Sequence, residues 1–99
     1  MPTVTVDLQE GFENDTVEVS LGGESRWRGD SVTTNLAVSL AASVPLEVEA
    51  GESEVRVTVP SRGLDATLPL DAKQDVHVAA NVEGGALRLE QLAERPYYL

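Results

Sequence analysis

The sequence predicts an all-β protein, a single antiparallel β-sandwich of seven to nine short strands spanning residues 1–99. Three observations carry that expectation. Apolar and polar residues alternate with a period of two along almost the whole chain, as strands with one buried face require. Valine and threonine are abundant, and β-branched side chains suit a pleated surface. Turn signals recur at a spacing of roughly 8–12 residues, as in a sandwich or small barrel.

The elements follow in order. Val4, Val6 and Leu8 share one face, with Thr3, Thr5 and Asp7 on the other. Val17, Val19 and Leu21 alternate with Glu18 and Ser20. A three-residue turn, Gly22-Gly23-Glu24, places Val19 opposite Trp27. Gly29–Asn35 lacks alternation and predicts a crossover or longer loop. Leu36, Val38 and Leu40 resume the pattern, followed by Val44, Leu46 and Val48. Ala50-Gly51-Glu52-Ser53 predicts a two-residue hairpin that sets Val48 opposite Val55 and Glu47 opposite Arg56. Val55, Val57 and Val59 then Leu64, Ala66, Leu68 and Leu70 continue it, joined by a loop at Pro60–Gly63. After the Asp71–Asp75 loop come Val76, Val78, Ala80 and Val82. Gly84-Gly85 turns the chain so that Val82 faces Leu87 and Ala80 faces Leu89. A slip of one residue would put an apolar set into water, so register is strongly specified.

Composition narrows the function. A chain of 99 residues makes one domain, and its hydrophobic fraction of 41% supports a globular core. There are 17 Asp and Glu against 7 Lys and Arg, a formal net charge of −10. Such a surface repels nucleic-acid phosphates and anionic membranes, so neither is expected as a partner. The absence of cysteine excludes disulfides, thiolate metal sites and a cysteine nucleophile. No apolar run approaches the roughly 20 residues of a membrane-spanning helix. Met1-Pro2-Thr3-Val4 lacks a basic segment followed by an apolar one, so the expectation is either a protein that stays in the cytoplasm, the favoured reading, or a mature or excised piece of a longer chain.

Candidate chemistry is sparse. Arg26-Trp27-Arg28-Gly29-Asp30 puts Arg26 and Arg28 on one face, where they suit a binding patch, and Trp27 on the other, where it fills the core. Arg28-Gly29-Asp30 also spells the tripeptide that integrins read in exposed loops, a match short enough to arise by chance. Asp7, Glu10, Glu13 and Asp15 surround the first turn, and Asp71 and Asp75 flank another. Calcium needs several oxygen ligands, but no EF-hand pattern is present and solvated charge explains these acids. His77 is the single histidine and cannot build a histidine metal cluster. No G-x-S-x-G elbow, Walker lysine or dinucleotide fingerprint occurs. Asn14-Asp15-Thr16 matches a glycosylation sequon that its turn position already explains. The end, Arg95-Pro96-Tyr97-Tyr98-Leu99, is apolar and aromatic; Tyr97 and Tyr98 are candidate binding residues if the tail does not pack back as a last strand.

From Val44 to Leu89 the chain resembles prealbumin-like β-sandwich modules, such as PEGA and carboxypeptidase regulatory-type domains. The resemblance rests on Val44-Pro45-Leu46-Glu47-Val48-Glu49-Ala50-Gly51-Glu52, then Val55-Arg56-Val57-Thr58-Val59-Pro60, then Leu68-Pro69-Leu70. It implies a non-catalytic spacer, adhesion or accessory role and carries over no catalytic residue. The expectation is therefore a module without enzymatic activity, metal or cofactor, with a structural or protein-binding role. Its partner would be another protein or a second copy. The alternative is a ligand-binding module for carbohydrate or calcium.

Overall fold

The computed structural model describes residues 2–92. The described chain is all-β, with strands β1 (Thr3–Leu8), β2 (Asp15–Leu21), β3 (Glu24–Val32), β4 (Ala42–Glu47), β5 (Gly51–Val59), β6 (Leu64–Ala72), β7 (Val76–Glu83) and β8 (Ala86–Leu92). One 3₁₀ turn, Pro60–Arg62, links β5 to β6. The strands form two four-stranded sheets. Sheet I has the order β4-β1-β7-β8 and sheet II the order β3-β2-β5-β6.

The alternation read from the sequence is what makes both sheets one-sided. Val4, Val6, Leu8 and Val78 of sheet I are fully buried, as are Val17, Val19, Val55, Val57 and Val59 of sheet II, and all belong to one core cluster. Fully burying a valine is worth roughly 1.5–3 kcal/mol, so these positions dominate the cohesion between the sheets. The Gly84-Gly85 turn sets Val82 opposite Leu87 and Ala80 opposite Leu89, as expected.

Five expectations need correction. The crossover or loop expected over residues 29–35 is in its first half strand, because β3 runs on to Val32. Sheet I is mixed, because β1 and β7 run parallel, with Val4 beside Val76 and Val6 beside Val78. Alternation specifies which face is wet, not the direction of the neighbour. Parallel neighbours need a long crossover, and here the whole chain between β1 and β7 supplies it. The hairpin at Gly51 does not form. Val44 and Leu46 pair with Val6 and Val4 in sheet I, whereas Val55 and Val57 pair with Leu21 and Val19 in sheet II. Residues 48–50 therefore carry the chain between sheets. Both valine sets still face one core, which is why a hairpin satisfied the same pattern.

Leu36, Val38 and Leu40 do not form a strand. Asn35 Oδ1 accepts from the Ala37 N–H at 3.0 Å and Asn35 O from the Val38 N–H at 3.2 Å, curling the segment into a turn. Leu36 is 89% exposed. The turn after β2 has two residues rather than three. Gly22 and Gly23 take φ of 58° and 84°, as in a tight hairpin turn that twists with its strands. Val19 still faces Trp27, because a register shift between Val19 and Ser20 absorbs the odd residue.

Candidate functional site

Arg26 and Arg28 lie on β3, an edge of sheet II, and both are exposed. Their roles differ. The Arg26 guanidinium spans the seam between the sheets and donates to Glu47 O of β4 at 2.9 Å. Arg28 makes a loose ion pair with Asp30 at 3.8 Å, with both side chains more than half exposed, and such pairs add little to stability. Arg28-Gly29-Asp30 is extended strand, not a loop. Trp27 is half-buried and packs against the core. Its ring lies over Gly29, where an added Cβ would meet Cη2 and Cζ2. The lack of a side chain at Gly29 thus leaves room for the large ring beside the core.

Beneath Arg26 the seam opens into a groove of about 500 Å³. Leu21, Val48 and the acidic residues Glu24, Glu47, Glu49 and Glu52 line it together with Arg26. Among the described residues no three His, Cys, Asp or Glu side chains converge in a way that could hold a metal ion.

The acids of the first turn are not all solvated, as the sequence reading had them. Asp15 is 3% exposed at the start of β2. It accepts from the Glu13 N–H at 2.8 Å, Ser61 Oγ at 3.0 Å and Arg62 Nε at 2.9 Å, with Arg62 Nη2 at 2.8 Å. Burial alone would raise its pKa. The donated hydrogen bonds from Glu13, Arg62 and Ser61, and the Arg62 charge, outweigh that and hold the carboxyl below its ordinary 3.8. Arg62 also donates to Gly11 O at 3.0 Å. The cluster therefore ties the β1–β2 connection to the β5–β6 corner and serves as a clamp. Asp7 is also buried and accepts from Ser43 Oγ at 2.6 Å. His77 stands beside Thr5, half-buried, with Nδ1 buried and unpartnered among the described residues.

The sheet edges differ in how open they are to a further strand. Pro45 lies within β4, opposite Thr5, and Pro69 within β6, opposite Glu54. Proline lacks the N–H that an added strand would use, and natural edges are often guarded this way. β3 carries two register shifts against β2, at Asp15/Val17 and Val19/Ser20, and irregularity of this kind also discourages pairing. β8 has neither device. Its seven residues pair with β7 from Glu83↔Ala86 to His77↔Leu92 without a shift. Arg88, Glu90 and Gln91 are exposed along it, and Leu89 is half-buried against the core.

Of the four binding residues expected from the sequence, Arg26 and Arg28 share one strand, and Tyr97 and Tyr98 lie outside the described residues. Sequence reasoning found the strand that holds Leu87 and Leu89 but not its place at an edge, because edges are known only once strand order is. It missed the Asp15 clamp because its partners, Ser61 and Arg62, are 46 and 47 residues away. No protein-family model, curated protein or solved structure matches this chain.

Proposed function

We propose that this chain is a non-catalytic β-sandwich module that works by joining β8, an edge strand of sheet I among the described residues, to another polypeptide. The observation that carries the reading is the contrast among the four edges: proline in β4 and β6, broken register in β3, and, among the described residues, a regular β8 with neither proline nor register shift. Strand addition gains main-chain hydrogen bonds without a preformed cavity, and the flanking side chains set the specificity. The charged pairs among the described residues fit this reading too: they are either exposed ion pairs or, at Asp15, part of a clamp.

The test is site-specific photo-crosslinking in cells that express the full chain. A photoreactive residue replaces the exposed Ala86 on β8, and a control replaces Arg56 on the outward face of β5. Position 86 should yield a discrete polypeptide adduct and position 56 none. No adduct at position 86, or equal adducts at both, would refute the edge-pairing role.

A further inference from the structure

Resting on that edge-pairing reading, we infer that the occupant of β8 is the β8 of a second copy, antiparallel about a two-fold axis at Leu89. In a two-fold antiparallel pair, residues equally far from the axis on opposite sides face one another. With Leu89 against the partner's Leu89, Arg88 stands opposite the partner's Glu90, and Glu90 opposite the partner's Arg88. Both side chains are exposed and flank Leu89 on the outward face of sheet I, so each copy offers a cation and an anion in mirrored positions. Opposite charges directly across a strand pair stabilise it and like charges destabilise it.

The neighbouring registers lose this match. An axis at Arg88 sets two guanidinium groups face to face, and an axis at Glu90 sets two carboxylates face to face. Each also leaves two residues of Ala86–Leu92 without a facing residue, whereas the Leu89 axis uses the whole strand. On the core side, the half-buried Leu89 gains a leucine neighbour, and Leu87 meets the partner's Gln91. The net charge of −10 opposes any association of two copies. A register that places cation against anion at the contact is the one that offsets it locally. Pairing would join the two copies of sheet I into one continuous sheet.

Sedimentation equilibrium on the full chain, from micromolar to millimolar concentration, tests this. The wild type should approach twice the 10.6 kDa mass of the chain as concentration rises. Arg88→Glu sets Glu against Glu twice per dimer and should weaken dimerisation roughly tenfold or more. Glu90→Arg should do the same. The double variant R88E/E90R restores both opposite-charge contacts at unchanged net charge and should recover wild-type dimerisation. Arg56→Glu, with the same change in net charge away from the edge, should weaken it far less. Circular dichroism confirms that each variant is folded. A wild type that stays monomeric throughout, or a double variant no better than the singles, overturns the proposal. Should position 86 capture a polypeptide of another mass while the wild type stays monomeric, self-pairing fails and the edge reading stands. Should it capture nothing, both fail.

Discussion

Replacing Asp15 with asparagine should lower the unfolding free energy by about 2–3 kcal/mol. The carboxylate is nearly inaccessible and accepts from three residues, Glu13, Ser61 and Arg62. Breaking a buried ion pair typically costs about 3–5 kcal/mol, because the surviving charge is stranded. Here the stranded partner would be Arg62, whose side chain is 34% exposed, so water takes over part of its solvation. The amide keeps one acceptor oxygen but turns an NH₂ group toward donors. Those two offsets bring the expected loss to about 2–3 kcal/mol, on the order of 10–20 °C in midpoint for a domain of this size. The pH dependence supplies a second readout. Because the folded pKa of Asp15 is depressed, its contribution is complete above the unfolded value near 3.8 and is lost as pH falls through the folded value. Urea titrations followed by Trp27 fluorescence should therefore show a full gap between wild type and variant at neutral pH, narrowing below about pH 4. A gap under about 0.5 kcal/mol at neutral pH, or one that persists undiminished in strong acid, would refute the clamp.

The other expectations concern Trp27 and Leu36. Gly29→Ala should push the indole off its seat, destabilise the domain by about 1–3 kcal/mol and shift Trp27 emission to longer wavelength; an unchanged spectrum would show that the ring does not need a bare backbone there. Leu36→Ser should change stability by less than about 0.5 kcal/mol, because Leu36 is 89% exposed on a turn. A large loss in thermal midpoint would mean that Leu36 is buried after all.

The facing of nearly every strand was legible in the sequence, because a period of two reports burial directly. Val4, Val19, Val57 and Val78 each took the face expected of them. Which strand lies beside which was less legible. Val44–Val48 and Val55–Val59 carry interchangeable patterns, so a hairpin and a sheet-to-sheet crossover read alike. Short-range alternation also misled at Leu36–Leu40, where the Asn35 side chain closes a turn on the backbone and overrides it. Arg26 and Arg28 were placed on the surface correctly. That Arg26 laces the seam while Arg28 stays loose depends on the closeness of Glu47, which no local pattern encodes.

The parallel pairing of β1 with β7 has a consequence for when the domain can assemble. The first strand of the chain sits between β4 and the seventh, and the Thr3 N–H donates to Asp75 Oδ1 across 72 residues. Sheet II is built largely from nearby partners, β2 with β3 and β5 with β6, whose turns close short loops early. Sheet I must wait. Until Val76 and Val78 arrive, β1 has β4 alone for support, and one side of Val4, Val6 and Leu8 has no neighbour. Loop-closure entropy must be met before so distant a contact gives anything back, which places such topologies among slow folders, on the order of milliseconds to seconds. During synthesis the N-terminal strand leaves the ribosome early yet is locked in late, and in that interval its valine-rich face is open to other chains.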